Sequence, residues 1–329
     1  MRVLVTGGAG YIGSVTARGL AARGHEVEIL DDFSTGHRAA LPTDAPLHEG
    51  TLLDGAFLAG VFARPFDAVL HFAAFSLVGE SVAEPLKYYR NNVAGSAQLL
   101  AAVTAAGVPR FIFSSSAAVY GEPDLDPIPE DAPTVPVNPY GRTKLAMEWM
   151  LADAAATSGI AAVALRYFNA CGAAGDLGEC HVPETHLIPR LLQSLDDPGL
   201  EFAIYGDDYP TPDGTCIRDY IHVSDLADAH VLALEWAERP GLTVMNLGTE
   251  TGRSVHEVVA AAARVTGRDI APPVAPKRAG DPPRLVAASE RARRLLGWRP
   301  SRSDLETILR DAWAWQKAHP EGYGPAGGA

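Results

Sequence analysis

Two hydrophobic periods alternate along the first half of the chain. Short apolar runs bounded by turn residues read as buried strands: Arg2-Val-Leu-Val-Thr6, His25-Glu-Val-Glu-Ile-Leu30, Asp67-Ala-Val-Leu-His-Phe-Ala-Ala74, Arg110-Phe-Ile-Phe-Ser114 and Ala161-Ala-Val-Ala-Leu-Arg-Tyr167. Alanine-rich helical stretches lie between them, notably Leu99 to Ala106 and Leu145 to Ala156. Strands that are apolar on both faces and alternate with helices predict an α/β fold, a doubly wound parallel sheet of the Rossmann type. From about residue 170 the texture turns to loops rich in Gly, Pro and Asp with only short strand and helix patterns, which predicts a second, smaller α/β unit. The expected division is 1–170 for the larger unit and 171–329 for the smaller, with segments such as Val244-Met-Asn-Leu-Gly248 able to return to the larger sheet. The closing run Gly324-Pro-Ala-Gly-Gly-Ala329 reads as a frayed tail.

The first predicted strand runs directly into Gly7-Gly8-Ala9-Gly10-Tyr11-Ile12-Gly13 and then a helical pattern. Gly8, Gly10 and Gly13 satisfy G-x-G-x-x-G, and Gly7, Gly10 and Gly13 satisfy the G-x-x-G-x-x-G variant. Glycines in this setting let the backbone turn tightly, approach a pyrophosphate and pack helix on sheet, with the phosphates at the helix N-terminus. The second strand ends in Asp31-Asp32, at the distance where a carboxylate binds an adenosine ribose diol. Such a carboxylate repels a ribose phosphate, so NAD is favoured over NADP; the plainer role for Asp31 is a turn or helix cap. Ligands of open parallel sheets bind at the carboxyl ends of strands, where Phe72-Ala73-Ala74-Phe75, Ser114-Ser-Ser116 and Tyr167-Phe168-Asn169 all fall.

Candidate chemistry centres on Tyr140-Gly-Arg-Thr-Lys144, just after Pro139 at the head of a helical stretch. A tyrosine and a lysine four apart share one helix face. A free phenol with a pKa of about 10 is a poor base at neutral pH unless a nearby positive charge favours the phenolate. Lys144 supplies one such charge, and an oxidised nicotinamide would supply another while accepting a hydride. Tyr-x-x-x-Lys alone is more often a surface pair, and only its company with the glycine turn and the serine run gives it weight.

The remaining composition mainly excludes. The 329 residues carry 27 Lys and Arg against 40 Asp and Glu, a formal charge of −13, which argues against a nucleic-acid or polyanionic membrane partner. No run of eighteen apolar residues and no charged-then-apolar leader is present, so no membrane association and a cytoplasmic location are expected. Cys171, Cys180 and Cys216 are odd in number and lack metal-ligand spacing, so free thiols are expected and no metal site.

Taken together, Thr6-Gly-Gly-Ala-Gly-Tyr-Ile-Gly13, Val78-Gly-Glu-Ser81, Phe113-Ser-Ser-Ser-Ala-Ala-Val-Tyr-Gly121, Asn138-Pro-Tyr-Gly-Arg-Thr-Lys144, Leu165-Arg-Tyr-Phe-Asn169 and Asp213-Gly-Thr-Cys-Ile-Arg-Asp-Tyr-Ile-His-Val223 resemble the extended short-chain dehydrogenase/reductase family. Within that family the likeness is to the enzymes that invert C4 of UDP-hexoses, and it covers nearly the whole chain. The resemblance implies a NAD-binding unit in 1–170 and a nucleotide-sugar-binding unit in 171–329. It implies redox-neutral interconversion of UDP-galactose and UDP-glucose through a 4-keto sugar, with Tyr140 as base, Lys144 lowering its pKa and Ser116 assisting proton transfer. The cofactor set would be Gly7, Gly10, Tyr11, Ile12, Gly13, Asp31, Asp32, Phe72, Ala73, Ala74, Asn91, Ser114 and Phe168 with Tyr140 and Lys144. The substrate set would be Asn169, His186, Leu187, Tyr205, Arg218, Arg278 and Asp281 with Ser116 and Tyr140. Arginine suits Arg218 and Arg278 because its planar fork meets diphosphate oxygens bidentately. A homodimer joined by helices around residues 90 to 106 and 145 to 156 is also implied.

Two rival functions are weighed against this one. A nucleotide-sugar 4,6-dehydratase needs further acid and base groups; in that family an Asp-Glu pair follows the catalytic hydroxyl residue, whereas Ala117-Ala118 follow Ser116 here. A non-enzymatic NAD sensor or scaffold would be expected to have lost Tyr140, Lys144 or Ser116. Three positions depart from the family pattern. Thr51 stands where an aspartate usually meets the adenine amino group, with Asp54 as a possible substitute. Ser76 replaces a lysine of some members. Leu285 stands where a large aromatic in some relatives restricts the pocket and a small residue in others admits N-acetylhexosamine, which leaves UDP-N-acetylhexosamines, UDP-glucuronate and UDP-pentoses as alternative substrates.

Overall fold

The computed structural model describes residues 1–197, 199–278 and 281–324; the tail expectation at 325–329 lies outside them. The first half builds the predicted alternation. Strand β1 (Arg2–Thr6) leads through the glycine turn into α1 (Tyr11–Ala22), followed by β2 (Glu26–Asp31), a short β3 (Leu47–Glu49), α2 (Gly55–Val61) and β4 (Ala68–His71). Two short helices, α3 (Val78–Ala83) and α4 (Pro85–Tyr88), run through a π-helical stretch at Tyr89–Gly95 into α5 (Ser96–Ala105). Then come β5 (Arg110–Ser116), α6 (Pro139–Ser158) and β6 (Ala161–Tyr167).

The second half alternates less regularly. It contains β7 (Asn169–Cys171), α7 (Leu187–Asp196), β8 (Ile204–Tyr205), β9 (Ile217–His222), α8 (Val223–Trp236) and β10 (Gly241–Leu247). These are followed by β11 (Gly252–Ser254), α9 (Val255–Thr266), β12 (Val274–Ala275), β13 (Arg284–Leu285), α10 (Glu290–Leu296) and α11 (Leu305–Ala318).

Seven strands form one all-parallel sheet in the order β10-β6-β5-β4-β1-β2-β3. Its first-half strands match the predicted runs, and β10 is the foreseen return, Val244 pairing with Ala164 and Leu247 with Tyr167. The small β3 was not foreseen, because Leu47-His-Glu49 carries no apolar run. Both faces of the sheet are buried. One packs Val3, Val5, Ile29, Leu70, Ile112 and Val163 against α1, α8 and Trp298; the other packs Leu4, Leu30, Val69, Phe111, Phe113 and Ala162 against α2, α5 and α6. Burial on alternate faces along every strand explains why the strands read as unbroken hydrophobic runs.

Smaller sheets carry the rest. β9 pairs with β7, β11 and β13, and β8 pairs with β12. A separate core of Ile188, Leu191, Tyr220, Val258, Ile308 and Trp313 holds α7, α9 and α11 over them. The chain is not laid out in linear blocks, because α8 packs on α1 and α10 on α8 and β10. Among the described residues no helix is long and apolar enough to cross a membrane.

Candidate active site

The carboxyl end of the parallel sheet opens into a cavity of about 620 Å³ that extends to the smaller sheets. At its floor, Gly7 adopts a left-handed φ of 72°, and a Cβ there would lie 2.5 Å from the Ala73 nitrogen. A Cβ on Gly13 would lie 2.2 Å from the Gly7 carbonyl oxygen. Only glycine lets α1 approach the turn this closely. The α1 N-terminus carries no side-chain cap, so its N–H groups face the cavity beside Gly10, Tyr11 and Ile12.

Asp31 and Asp32 line the same cavity, and the carboxylate of Asp31 accepts the backbone N–H of Ala9 and Phe33 at 2.9 Å each. The turn-capping role is therefore real, and two bonds still leave lone pairs for a ribose hydroxyl. Burial raises the Asp31 pKa against those backbone bonds. Phe72, Ala73, Ala74, Asn91, Ser114 and Phe168 complete this wall. Asn91 arrives there on the π-helical stretch, while its neighbour Asn92 both accepts from the Phe75 N–H and donates to the Phe75 carbonyl, fixing the loop after β4. The residues present fit a dinucleotide: a Cβ-free cradle at a helix N-terminus, and a carboxylate at the end of the second strand.

Tyr140, Lys144 and Ser116 meet where β5 and α6 converge. Asn138 caps α6 by accepting the Gly141 N–H at 2.8 Å, and Pro139 opens the helix, so Tyr140 enters in its first turn. Lys144 is almost wholly buried, and its Nζ donates to the Ser114 carbonyl at 2.8 Å, 5.8 Å from the Tyr140 ring centre. Burial pushes Lys144 down to about 7, with Glu148 opposing. Burial likewise raises Tyr140 above its usual range, with the adjacent Ser116 hydroxyl pulling it down. Lys144 thus sits next to the phenol without bonding to it, and desolvation rather than its charge dominates the Tyr140 titration. One turn further, Glu148 forms a buried pair with Arg166 at 2.5 Å, and Arg166 donates to the Tyr120 hydroxyl, which donates to Asn246. This network ties α6, β6 and β10 together directly behind the helix face that carries Tyr140 and Lys144.

At the other end of the cavity stand Asn169, His186, Leu187, Arg218, Arg278 and Asp281. Arg218 pairs with Asp281, and the Arg278 guanidinium lies 4.0 Å from the Tyr205 ring centre. Tyr205 itself does not line the cavity; it sits on the short β8, half exposed, beneath Arg278. Leu285 and Ser76 are on the wall, whereas Asp54 caps α2 through the Ala56 and Phe57 N–H groups and does not reach the cavity. Asp54 therefore does not replace the missing aspartate; Gly50 and Leu52 flank that stretch of wall. Cys171, Cys180 and Cys216 are free thiols.

Sequence reasoning named His186 but missed the cluster it forms with Glu179, His181 and Glu184, of which Glu179, His181 and His186 line the cavity. Its signal in the sequence is the spacing E-x-H-x-x-E-x-H. The two carboxylates raise His181 to about 9 and His186 to about 11 against burial, and Glu184 is held well below the carboxylate range.

The profile of the NAD dependent epimerase/dehydratase family matches residues 3–248. A UDP-glucose 4-epimerase of Streptomyces lividans is 52% identical over 99% of this chain and 99% of that protein. Among solved structures, a UDP-glucose 4-epimerase of Brucella ovis in complex with NAD is 51% identical, with a TM-score of 0.90, covering 95% of this chain and 97% of that one. Another from Bifidobacterium longum, in complex with NAD+ and UDP, is 38% identical with a TM-score of 0.93, covering 98% of this chain and 100% of that one. With the dinucleotide turn, the tyrosine beside a buried lysine and these end-to-end likenesses in view, the chain belongs to the NAD dependent epimerase/dehydratase family.

Proposed function

We infer that this protein is an isomerase that inverts C4 of a UDP-hexose, interconverting UDP-galactose and UDP-glucose with NAD as a tightly held cofactor. The observation that carries this is one continuous cavity running from the glycine turn, past Tyr140 and Ser116, to Arg218 and Arg278. When bound, NAD supplies a hydride acceptor and donor and, in its oxidised state, a positive charge that favours the phenolate. Tyr140, with Ser116 relaying, removes the C4 hydroxyl proton as a 4-keto sugar forms. Arg218 and Arg278 grip the diphosphate while the hexose turns its opposite face, and the proton then returns from the same pair. No net reduced cofactor accumulates. Ala117 and Ala118, in place of further acid and base groups, leave the 4,6-elimination without catalysts.

The remaining roles follow the same reading. Gly7, Gly10, Tyr11, Ile12, Gly13, Asp31, Asp32, Phe72, Ala73, Ala74, Asn91, Ser114 and Phe168 hold NAD, and Asn169, His186, Leu187 and Asp281 join the arginines around UDP. Tyr205 acts by supporting Arg278. The NAD-binding unit is 1–170 with α8, β10 and α10 added, and the rest of 171–329 binds the nucleotide sugar. Three free thiols support a cytoplasmic setting. Trp149 on α6, 63% exposed, with Val82 and Leu86 on the neighbouring α3 and α4, supports a homodimer through that face.

The test is to incubate the purified protein, without added cofactor, with UDP-galactose and resolve the sugar nucleotides while following absorbance for reduced nicotinamide. A UDP-galactose/UDP-glucose mixture with no net reduced cofactor is expected; no conversion by folded, NAD-replete protein overturns the substrate assignment.

A further inference from the structure

We propose that Glu179, His181, Glu184 and His186 form a binding site for one divalent transition-metal ion of the zinc class, at the rim of the cavity between β7 and α7. The four side chains do not pair off. Nδ1 of His186 lies 2.9 Å from carboxylate oxygens of both Glu179 and Glu184, and Nδ1 of His181 lies 3.4 and 3.3 Å from the same two carboxylates. Both ring nitrogens address the same Oε1 of Glu179. One ligand atom from each residue thus lies within 4.8 Å of the other three.

Tetrahedral ligands about 2.0–2.1 Å from zinc stand about 3.3–3.4 Å apart, close to the nitrogen–oxygen contacts of 2.9–3.4 Å here, in which Glu184 meets His186 through Oε1 and His181 through Oε2. Two imidazoles and two carboxylates suit zinc or cobalt rather than magnesium or calcium, which prefer all-oxygen shells. Two carboxylates also neutralise a dication, and the Glu179 and Glu184 side chains are only 7% and 4% exposed. Backbone N–H groups of Thr185 and His186 donate to Glu184 at 2.8 Å each, orienting it as outer partners orient metal ligands. The ion would pin the segment leading into α7, and coordination through Nδ1 leaves Nε2 of His186 as a donor on a residue that lines the cavity. Its role is positioning.

The experiment uses the tag-free full chain, stripped with EDTA, exposed to zinc or cobalt(II), desalted and analysed for metal per chain. About one ion per chain is expected, cobalt giving the intense visible bands of a four-coordinate site. The His181→Ala and Glu184→Gln variants, folded and NAD-replete, are expected to lose at least tenfold in metal affinity. Folded, stripped protein that takes up no ion overturns the proposal. So does equal uptake by both variants, or a weak six-coordinate cobalt spectrum. Because the readout is metal content and spectrum, it stands or falls independently of sugar turnover.

Discussion

At Tyr140 a single hydroxyl carries most of the expected catalysis. Removing a positioned general base typically costs a factor of about 10²–10⁴, so Tyr140→Phe should lower kcat for UDP-galactose by that range while bound NAD, measured after release, stays unchanged. Ser116→Ala, which leaves the phenol in place, should cost less. Buried histidines packed behind the cavity wall govern acid stability instead. His71, bonded to Thr6 and Ser96, is pushed down to about 3, and His230, packed 4.7 Å from the Phe72 ring centre, to about 4. Both pKa values lie below the 6.5 of an unperturbed histidine, so the unfolded chain takes up protons first. Their stabilising effect is therefore complete above 6.5, and each loses up to about 1.4 kcal/mol per pH unit below it until its folded pKa is reached. Urea titrations at pH 6.5 and 5 should show a smaller loss for His230→Gln than for the unaltered protein.

Among the elements, α1 approaches the glycine turn too closely for any side chain at Gly13. A Gly13→Ala methyl would collide with the Gly7 carbonyl at 2.2 Å, and overpacking of this kind costs about 1–3 kcal/mol. Lower thermal stability and loss of co-purifying NAD are expected together. Behind α6, removing one partner of the buried Glu148–Arg166 pair should cost roughly 3–5 kcal/mol, since the other charge is left unmatched; denaturant unfolding of Glu148→Ala measures it. These two contacts differ in how legible they were. The glycines, Asp31 and the Tyr140–Lys144 face were readable because short-range spacing fixes them on a turn and a helix. Glu148, Arg166, Tyr120 and Asn246 were not grouped, because their bonds join positions 18 to 126 apart in sequence. For the same reason Asp54, a plausible adenine ligand by proximity in sequence, proved to be a helix cap, and Tyr205 a support for Arg278.

At the scale of the whole molecule, the exposed apolar group of Val82, Leu86 and Trp149 predicts self-association. Leu86→Glu combined with Trp149→Glu should shift the sedimentation of a dimer to that of a monomer, and an unchanged profile would remove this face from the interface. The large sheet draws its last strand from residues 241–247, after more than seventy residues devoted to the smaller sheets and α8. Until that strand arrives, β6 is an edge whose seven residues are all buried in the finished protein, a ready template for pairing with another chain. On the ribosome, then, the chain must carry a sticky, unfinished edge through the synthesis of all the residues between β6 and β10, which makes the pace of translation and chaperone cover part of how this protein reaches its native state.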